Sequence, residues 1–213
     1  AWFCIGFLEF SLLKKLALMI KPFEFYFDFV SPYSFFAHKE IKKIEKKAAI
    51  KIRYKPILLG GLHNLHGIKA PAFIPAKAKH MIRDCKLISE RNNIKFKFNS
   101  YFPIKSLNLM RGVLVAEEDN LKSYYIDNIF NTIWQDGLNM NDEIIIQKVL
   151  KNINVNPKTF LLRSTSSSIK ESLIKKTNEA HKKGIFGAPT FVSNNKISWG
   201  QDRIEFALKE ASK

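Results

Sequence analysis

Two serines stand at a spacing that would suit a pair of redox cysteines. The segment Ser31-Pro32-Tyr33-Ser34 follows an alternating apolar stretch and precedes a helical pattern, so it is predicted to join a strand to a helix. The spacing is that of a C-x-x-C motif with both sulfurs replaced by hydroxyls. A hydroxyl cannot exchange disulfides, but it can stabilise a thiolate that another molecule supplies at the positive end of a helix. The motif therefore favours thiolate binding over dithiol chemistry.

The same serines also have a purely structural interpretation. Ser31 is a good N-cap residue, and Pro32 suits the first helical position, where its missing N–H does no harm. On this interpretation Ser31 and Ser34 are ordinary helix caps. The four-residue motif alone does not decide between a helix cap and a ligand site.

A second loop near the end of the chain favours the ligand interpretation. It reads Gly187-Ala188-Pro189-Thr190 and leads into a predicted strand. In thioredoxin folds, the proline that faces the active-site turn is cis, and the residue before it offers free backbone groups to a peptide-like ligand. The alternative is a plain proline before a strand. We expect this loop to face Ser31.

Gln201 and Asp202 precede the last predicted helix and also allow two interpretations. Asp202, with Glu205 three residues later, resembles a capping box. Alternatively, the two side chains and their amides bind the amino acid end of a γ-glutamyl group. We expect the binding role, which capping by Asp202 does not exclude.

The hydrophobic pattern predicts an α/β protein with a thioredoxin-like fold. Phe23, Phe25, Phe27 and Phe29 alternate with other residues, which indicates a strand, and residues 50–55 alternate again after a helical stretch. The C-terminal part indicates strand, turn, strand and helix. The order is therefore β-α-β, a helical region, and β-β-α.

The region between these two parts is predicted to be a large helical insertion. A loop rich in Gly and Pro begins at Gly60, and breaks are expected at Pro103, Gly137 and Pro157. The predicted helices cover residues 76–92, 105–118, 120–136, 141–151 and 157–183. We predict a thioredoxin-like domain formed by residues 20–59 and 184–213, and a helical insertion domain formed by residues 60–183.

The composition narrows the classes of function. The chain has 213 residues, of which 46% are hydrophobic, and a net charge of +16. Most of the positive charge is lysine spread along helical stretches, whereas nucleic-acid readers favour arginine for bidentate contacts. We therefore expect no nucleic-acid partner, although the charge would attract small anions in general.

Cysteine and histidine spacings argue against disulfides and metals. Cys4 and Cys85 lie far apart and form no paired motif, which fits a reducing compartment. His63 and His66 are three residues apart, but they lie in a Gly-rich segment with no cysteine or carboxylate close by. We expect neither a disulfide framework nor a bound metal.

Residues 1–19 form an apolar extension. Its lysine pair follows the apolar run, which is the opposite order to a secretory signal, and Glu9 interrupts a run that is too short for a good membrane span. We expect the extension to be extraneous to function, with a membrane-surface or signal role as the alternative. We expect no stable membrane association and a cytoplasmic location.

Four segments in order resemble the 2-hydroxychromene-2-carboxylate isomerase family. They are FYFDFVSPYSFFA, the stretch from LGGL to IKAPAFIPAKAKHMIRD, FPIKSLNLMRG, and GIFGAPTFVSNNKISWGQDR. That family is a bacterial relative of the kappa-class glutathione transferases within the DsbA-like thioredoxin superfamily. The similarity runs from about residue 22 to the C-terminus. The resemblance implies a DsbA-like architecture and a homodimer.

The resemblance implies that glutathione is the working cofactor. Ser31 would then hydrogen-bond and stabilise the glutathione thiolate, while Ala188 and Pro189 would hold the cysteinyl backbone. Tyr33, inside the same motif, is expected to contact the substrate. A free thiol has a pKa of about 8.5, so a hydroxyl donor and helix N-terminal amides would raise the thiolate fraction at neutral pH.

The resemblance also assigns the two ends of glutathione. Gln201 and Asp202 would bind the γ-glutamyl end, and Lys77 would reach the glycine end. One position departs from the family pattern, because Ile68 stands in GIKAP where the family often has Asn. One glutathione contact is then absent, or is supplied from elsewhere in the same loop by Asn64 or Lys69.

The implied activity is a glutathione-dependent isomerisation in aromatic-compound breakdown. Reversible addition of the thiolate would interconvert 2-hydroxychromene-2-carboxylate and trans-o-hydroxybenzylidenepyruvate. The first alternative is a kappa-type glutathione transferase that conjugates electrophiles at the same site. The second is a binding module that kept the thioredoxin fold without catalysis. A dithiol oxidoreductase is excluded at this turn because no cysteine is present there.

Overall fold

The computed structural model describes residues 21–47, 50 and 52–213. The extension over residues 1–19 therefore lies outside the described residues. The strands are β1 (Glu24–Phe27), β2 (Arg53–Pro56), β3 (Thr190–Ser193) and β4 (Lys196–Trp199). The helices are α1 (Pro32–Lys47), α2 (Leu59–His66), α3 (Pro75–Asn92), α4 (Leu107–Glu118), α5 (Lys122–Trp134), α6 (Glu143–Asn152), α7 (Pro157–Ser164), α8 (Ser167–Lys182) and α9 (Ile204–Ala211), with a 3-10 turn at Pro71–Phe73. Among the described helices, none has the length and apolar character needed to cross a membrane.

The strands form one sheet in the order β2-β1-β3-β4. β1 runs parallel to β2, with Phe25 opposite Tyr54, and antiparallel to β3, with Phe25 opposite Phe191. Parallel neighbours need a crossover connection, and α1 supplies it between β1 and β2. β3 and β4 form a hairpin through Asn194 and Asn195, which both have positive φ. The predicted order and the thioredoxin-like fold are confirmed.

The prediction of a loop that begins at Gly60 is wrong for its first residues, because Leu59–His66 form the helix α2. Leu62 is fully buried in a small cluster that also contains Tyr26 of β1. Gly67 ends the helix with φ of 64°, a left-handed conformation that suits glycine. Burial of one helix face therefore outweighs the low helix propensity of the two glycines within it.

The helical stretch predicted over residues 157–183 is divided into α7 and α8. The hydroxyls of Ser164 and Thr165 donate to carbonyl groups three residues earlier, and Ser166 is extended with ψ of 153°. Such side-chain bonds compete with the helical backbone pattern and favour its end. The breaks predicted at Pro103, Gly137 and Pro157 are confirmed.

The alternating phenylalanines in and around β1 are all buried in the main core. The ring of Phe25 stacks on Phe191 at 5.4 Å, and Phe29 meets Phe130 of α5 at 4.8 Å. The same cluster thus contains residues of the sheet and of the helices between β2 and β3. The division into two domains stays a prediction, and this shared core shows that their apolar residues pack together.

A buried histidine joins α1, β2 and α5. His38 is 1% exposed; its Nδ1 is 2.7 Å from the Tyr54 hydroxyl, and its Nε2 is 2.6 Å from Asp127 Oδ1. The carboxylate needs a donor at Nε2, and the phenol can donate to a neutral Nδ1. Burial lowers the pKa of His38 below its usual value, although Asp127 opposes this shift. The neutral imidazole therefore suits the folded protein.

We expect His38 to make stability fall as the pH drops below about 6.5, the pKa of an unfolded histidine. Below that pH the unfolded chain takes up a proton that the folded chain resists, because its His38 pKa is lowered. Urea unfolding at pH 7.5 and 5.5 measures the loss. His38→Gln should reduce this difference, whereas His80→Gln, on an exposed residue of α3, should retain it. Equal pH dependence in all three proteins would contradict the assignment to His38.

Candidate active site

A buried carboxylate shapes the turn between β1 and α1. Asp28 is fully buried; its Oδ1 accepts a hydrogen bond from Val30 N at 3.0 Å, and its Oδ2 accepts one from Leu59 N at 2.8 Å. Its backbone carbonyl accepts from Ser31 N at 3.1 Å. Burial raises the pKa of Asp28, while these donors oppose the shift. Asp28 therefore stabilises the turn through Val30 and Ser31, and it links the turn to Leu59, the first residue of α2.

Ser31 is the N-cap of α1, as predicted, and also contacts the second loop. Its Oγ accepts from Ser34 N at 3.1 Å and donates to Ala188 O at 3.0 Å. Ser31 is 5% exposed. The cap interpretation of Ser34 is wrong, because its fully buried hydroxyl has no hydrogen-bond partner among the described residues. Of these two serines, Ser31 is the one whose hydroxyl contacts both the N-terminus of α1 and the loop that contains Ala188.

The loop before β3 is held tightly. The Ala188–Pro189 peptide bond is cis. Thr190 Oγ1 donates to Gly187 O at 2.7 Å, and Gly200 N donates to Pro189 O at 3.0 Å. A Cβ on Gly187 would lie 2.7 Å from the indole nitrogen of Trp199, so only glycine fits without displacement there. The loop is thereby joined to the turn that follows β4.

That turn carries Gln201 and Asp202. Gln201 is partly buried and Asp202 is exposed. The capping box predicted for Asp202 is wrong, because α9 begins later, its N-cap position is Arg203, and no side chain caps it. Asp202 Oδ2 instead lies 3.4 Å from the Arg203 guanidinium. The carboxylate is therefore available at the surface beside the cis-proline loop.

The other predicted positions are Tyr33 on α1, Ile68 after α2 and Lys77 on α3. Tyr33 Oη donates to Asp84 Oδ2 at 2.8 Å, so this hydroxyl is already engaged within the chain. Lys77 is exposed in the first turn of α3, and Ile68 is 37% exposed after α2. The structure thus joins Ser31 directly to the cis-proline loop, while Lys77 stands apart on another helix.

Two carboxylates near the site were not singled out from the sequence. Asp28 lies on the polar side of the strand alternation, and its only signal is its place three residues before Ser31. Asp84 carries no motif signal, because its partner Tyr33 is 51 positions away in sequence. No group of three or more metal-binding side chains is found among residues 21–47, 50 and 52–213.

Comparison with known proteins defines the class. The DSBA-like thioredoxin domain family matches residues 23–211, and the chain belongs to that family. A 2-hydroxychromene-2-carboxylate isomerase of Sphingobium xenophagum is 23% identical over 190 residues, covering 88% of this chain and 96% of its own length. Glutathione S-transferase kappa 1 of Caenorhabditis elegans is 26% identical over 175 residues, covering 78% and 77%.

A comparison with a solved structure supports the same fold. The structure of a 2-hydroxychromene-2-carboxylate isomerase superposes with a TM-score of 0.80 at 22% identity, covering 87% of this chain and 92% of that one. At this identity the likeness shows the fold. The resemblance to 2-hydroxychromene-2-carboxylate isomerases that the motifs indicated is confirmed.

Proposed function

We propose that this protein is a glutathione-dependent isomerase that interconverts 2-hydroxychromene-2-carboxylate and trans-o-hydroxybenzylidenepyruvate. The observation that carries the proposal is the buried Ser31 hydroxyl, which lies at the N-terminus of α1 and 3.0 Å from Ala188 O. The relatives named 2-hydroxychromene-2-carboxylate isomerase support the reaction and its small aromatic carboxylate substrate.

The chemical character of the site residues fits glutathione. The ligand has an ammonium and carboxylate at one end, a thiol in the middle and a carboxylate at the other end. Asp202 offers an exposed carboxylate beside the cis-proline loop, and Lys77 offers an exposed ammonium on α3. Ser31 stands at the helix N-terminus with a hydroxyl that can donate. Each charged end of the ligand therefore has a complementary group on the chain.

The remaining contacts rest on the family resemblance. By that resemblance, Ala188 and Pro189 would hold the cysteinyl backbone. In the structure, Ala188 O accepts from Ser31 Oγ and Pro189 O accepts from Gly200 N. Gln201 would join Asp202 at the γ-glutamyl end. Ile68 has no polar side chain to offer, so a glutathione contact at this turn would be absent or supplied by Asn64 or Lys69, which are both exposed.

Bound glutathione would supply a nucleophilic thiolate for reversible addition to the unsaturated ring system, and it would be recovered unchanged. Ser31 stabilises the anion by redirecting its single hydroxyl hydrogen from Ala188 O to the sulfur. The N-terminal amides and dipole of α1 add to this stabilisation. Lowering a thiol pKa by one to two units corresponds to about 1.4–2.8 kcal/mol of preference for the anion.

A kappa-type transferase is the second candidate, and the kappa relatives from Caenorhabditis elegans favour it. It would use the same Ser31 site but form a stable thioether with an electrophile. A non-catalytic binding module is the third candidate. A homodimer and a cytoplasmic location stay predictions that rest on the family resemblance and the cysteine spacing.

Calorimetry with reduced glutathione, followed by an assay with 2-hydroxychromene-2-carboxylate, tests the proposal. We expect saturable binding, isomer formation and full recovery of glutathione. Thioether formation with consumption of glutathione would favour the transferase. Binding without either product, for this substrate and for general electrophiles, would favour the binding module. Absence of glutathione binding by the folded protein would overturn the proposed cofactor.

Asp202→Ala is expected to weaken glutathione binding by about 1.5–3 kcal/mol, the range for a charge-assisted contact. The catalytic rate at saturating glutathione should change much less, because the γ-glutamyl end is remote from the sulfur. Calorimetry and steady-state kinetics measure the two effects. Asp136→Ala is the matched control, since it removes the same charge from the helical region, where Asp136 pairs with Lys95 at 3.6 Å. Equal affinity in Asp202→Ala and wild type would exclude Asp202 from the site.

A further inference from the structure

Tyr33 is held by its hydroxyl instead of presenting that group to a substrate. Its Oη donates to Asp84 Oδ2 at 2.8 Å, and its ring packs against the main core. We propose that Tyr33 and Asp84 form a positioning pair, which fixes α3, and with it Lys77, at a set distance from the Ser31 turn. This proposal rests on the proposed function, since it concerns how the same glutathione site is built.

Helix geometry connects the pair to Lys77. Lys77 and Asp84 are seven positions apart, so they lie on the same face of α3, about two turns from one another. Met81 and Cys85 on that face are buried in the main core at 7% and 0% exposure. Lys77 is exposed at the start of α3. Asp84, two turns later beside the buried residues, anchors the helix to the first turn of α1.

The chemistry of the pair suits a permanent anchor. Burial raises the pKa of Tyr33, and the hydrogen bond to Asp84 raises it further, so the phenol stays protonated and donates. Burial also raises the pKa of Cys85 to about 12, which keeps that neighbouring thiol neutral. A hydrogen bond to a carboxylate is stronger than one between neutral groups. The donor of this bond, Tyr33, belongs to the Ser31–Ser34 motif, and the acceptor lies on α3.

The pair would therefore set the distance between the two residues that hold the ligand. Ser31 would hold the sulfur, and Lys77 would hold the glycine carboxylate. Their separation depends on how α3 lies against α1. Loss of the Tyr33–Asp84 bond should therefore weaken the contact at the glycine end and leave the contacts at the sulfur and the γ-glutamyl end in place.

Two thiol ligands separate these contacts. Reduced glutathione has the glycine end, and γ-glutamylcysteine lacks it. We expect Tyr33→Phe and Asp84→Asn each to weaken glutathione binding in calorimetry by up to about fivefold, the range for a partly exposed ion pair. Affinity for γ-glutamylcysteine should stay at the wild-type value. In a Lys77→Met background, Tyr33→Phe should have no further effect on glutathione affinity.

The controls distinguish positioning from general damage. Tyr124→Phe removes a hydroxyl from a half-exposed residue of α5 and should change neither affinity. Equal losses for both ligands in Tyr33→Phe would indicate a distorted site and overturn the proposal, as would unchanged glutathione affinity. An additive effect of Tyr33→Phe in the Lys77→Met background would also overturn it. If wild type binds neither thiol, the proposed function itself fails, and that outcome is separate from the others.

Discussion

Ser31→Ala is expected to slow the isomerisation by about one to two powers of ten while glutathione remains bound. Removal of a hydrogen-bond donor to an anion costs about 1.5–3 kcal/mol, which gives a rate change of this size. The pKa of the bound thiol should rise, because Ser31 at the N-terminus of α1 no longer favours the thiolate. Thiolate absorbance in the ultraviolet as a function of pH, measured beside steady-state rates, checks both effects.

Ser34→Ala is the matched control for this experiment. Its hydroxyl is buried without a hydrogen-bond partner among the described residues, so its removal leaves no donor or acceptor behind. Ser31→Ala also removes a helix cap, which costs about 1 kcal/mol of stability, so melting curves are needed for both variants. A larger rate loss in Ser34→Ala, together with an unchanged thiol pKa in Ser31→Ala, would show that the roles are assigned wrongly.

Trp134→Ala is expected to reduce the free energy of unfolding by about 3–5 kcal/mol, as for other fully buried aromatic side chains. Trp134 is 0% exposed, and its ring lies at 5.8 Å from both Phe96 and Phe98. Its Nε1 donates to Phe29 O at 2.9 Å, two residues before Ser31. The substitution therefore leaves both a cavity and an unpaired buried carbonyl. Urea unfolding measures the loss.

Trp199→Ala provides the comparison, because Trp199 is 54% exposed. We expect it to cost much less stability than Trp134→Ala, although it removes the ring that covers Gly187. Similar losses of unfolding free energy in the two variants would show that burial is not the main reason why Trp134 stabilises the fold.

The parts of the fold with strong local signals were predictable. The alternation of β1, the cap at Ser31 and the Asn194-Asn195 turn each depend on neighbouring residues, and the structure contains all three. α2 was missed because its glycines are typical of a loop. Burial of Leu62 against residues distant in the chain stabilises this segment as a helix. Local propensity cannot show that tertiary contribution.

In the site as well, features set by neighbouring residues could be predicted from the sequence, whereas features that depend on distant residues could not. The Ser31 turn follows from its motif, but the burial of Asp28 depends on the start of α2, which donates to it. The bond between Tyr33 and Asp84 joins two helices whose packing has no sequence signal. The capping box at Asp202 was wrong because the match of two residues three apart says nothing about where α9 begins.

The hydrogen bond from Ser31 to Ala188 joins groups that are 157 positions apart in the chain. Closure of so long a segment is entropically costly, so this contact forms late unless the intervening helices have already packed. During synthesis, β1 and β2 emerge well before β3, which leaves one edge of β1 without its hydrogen-bonding neighbour. An unpaired edge rich in phenylalanine favours association with other chains. We therefore expect the nascent protein to be most prone to aggregation before β3 has left the ribosome and paired with β1.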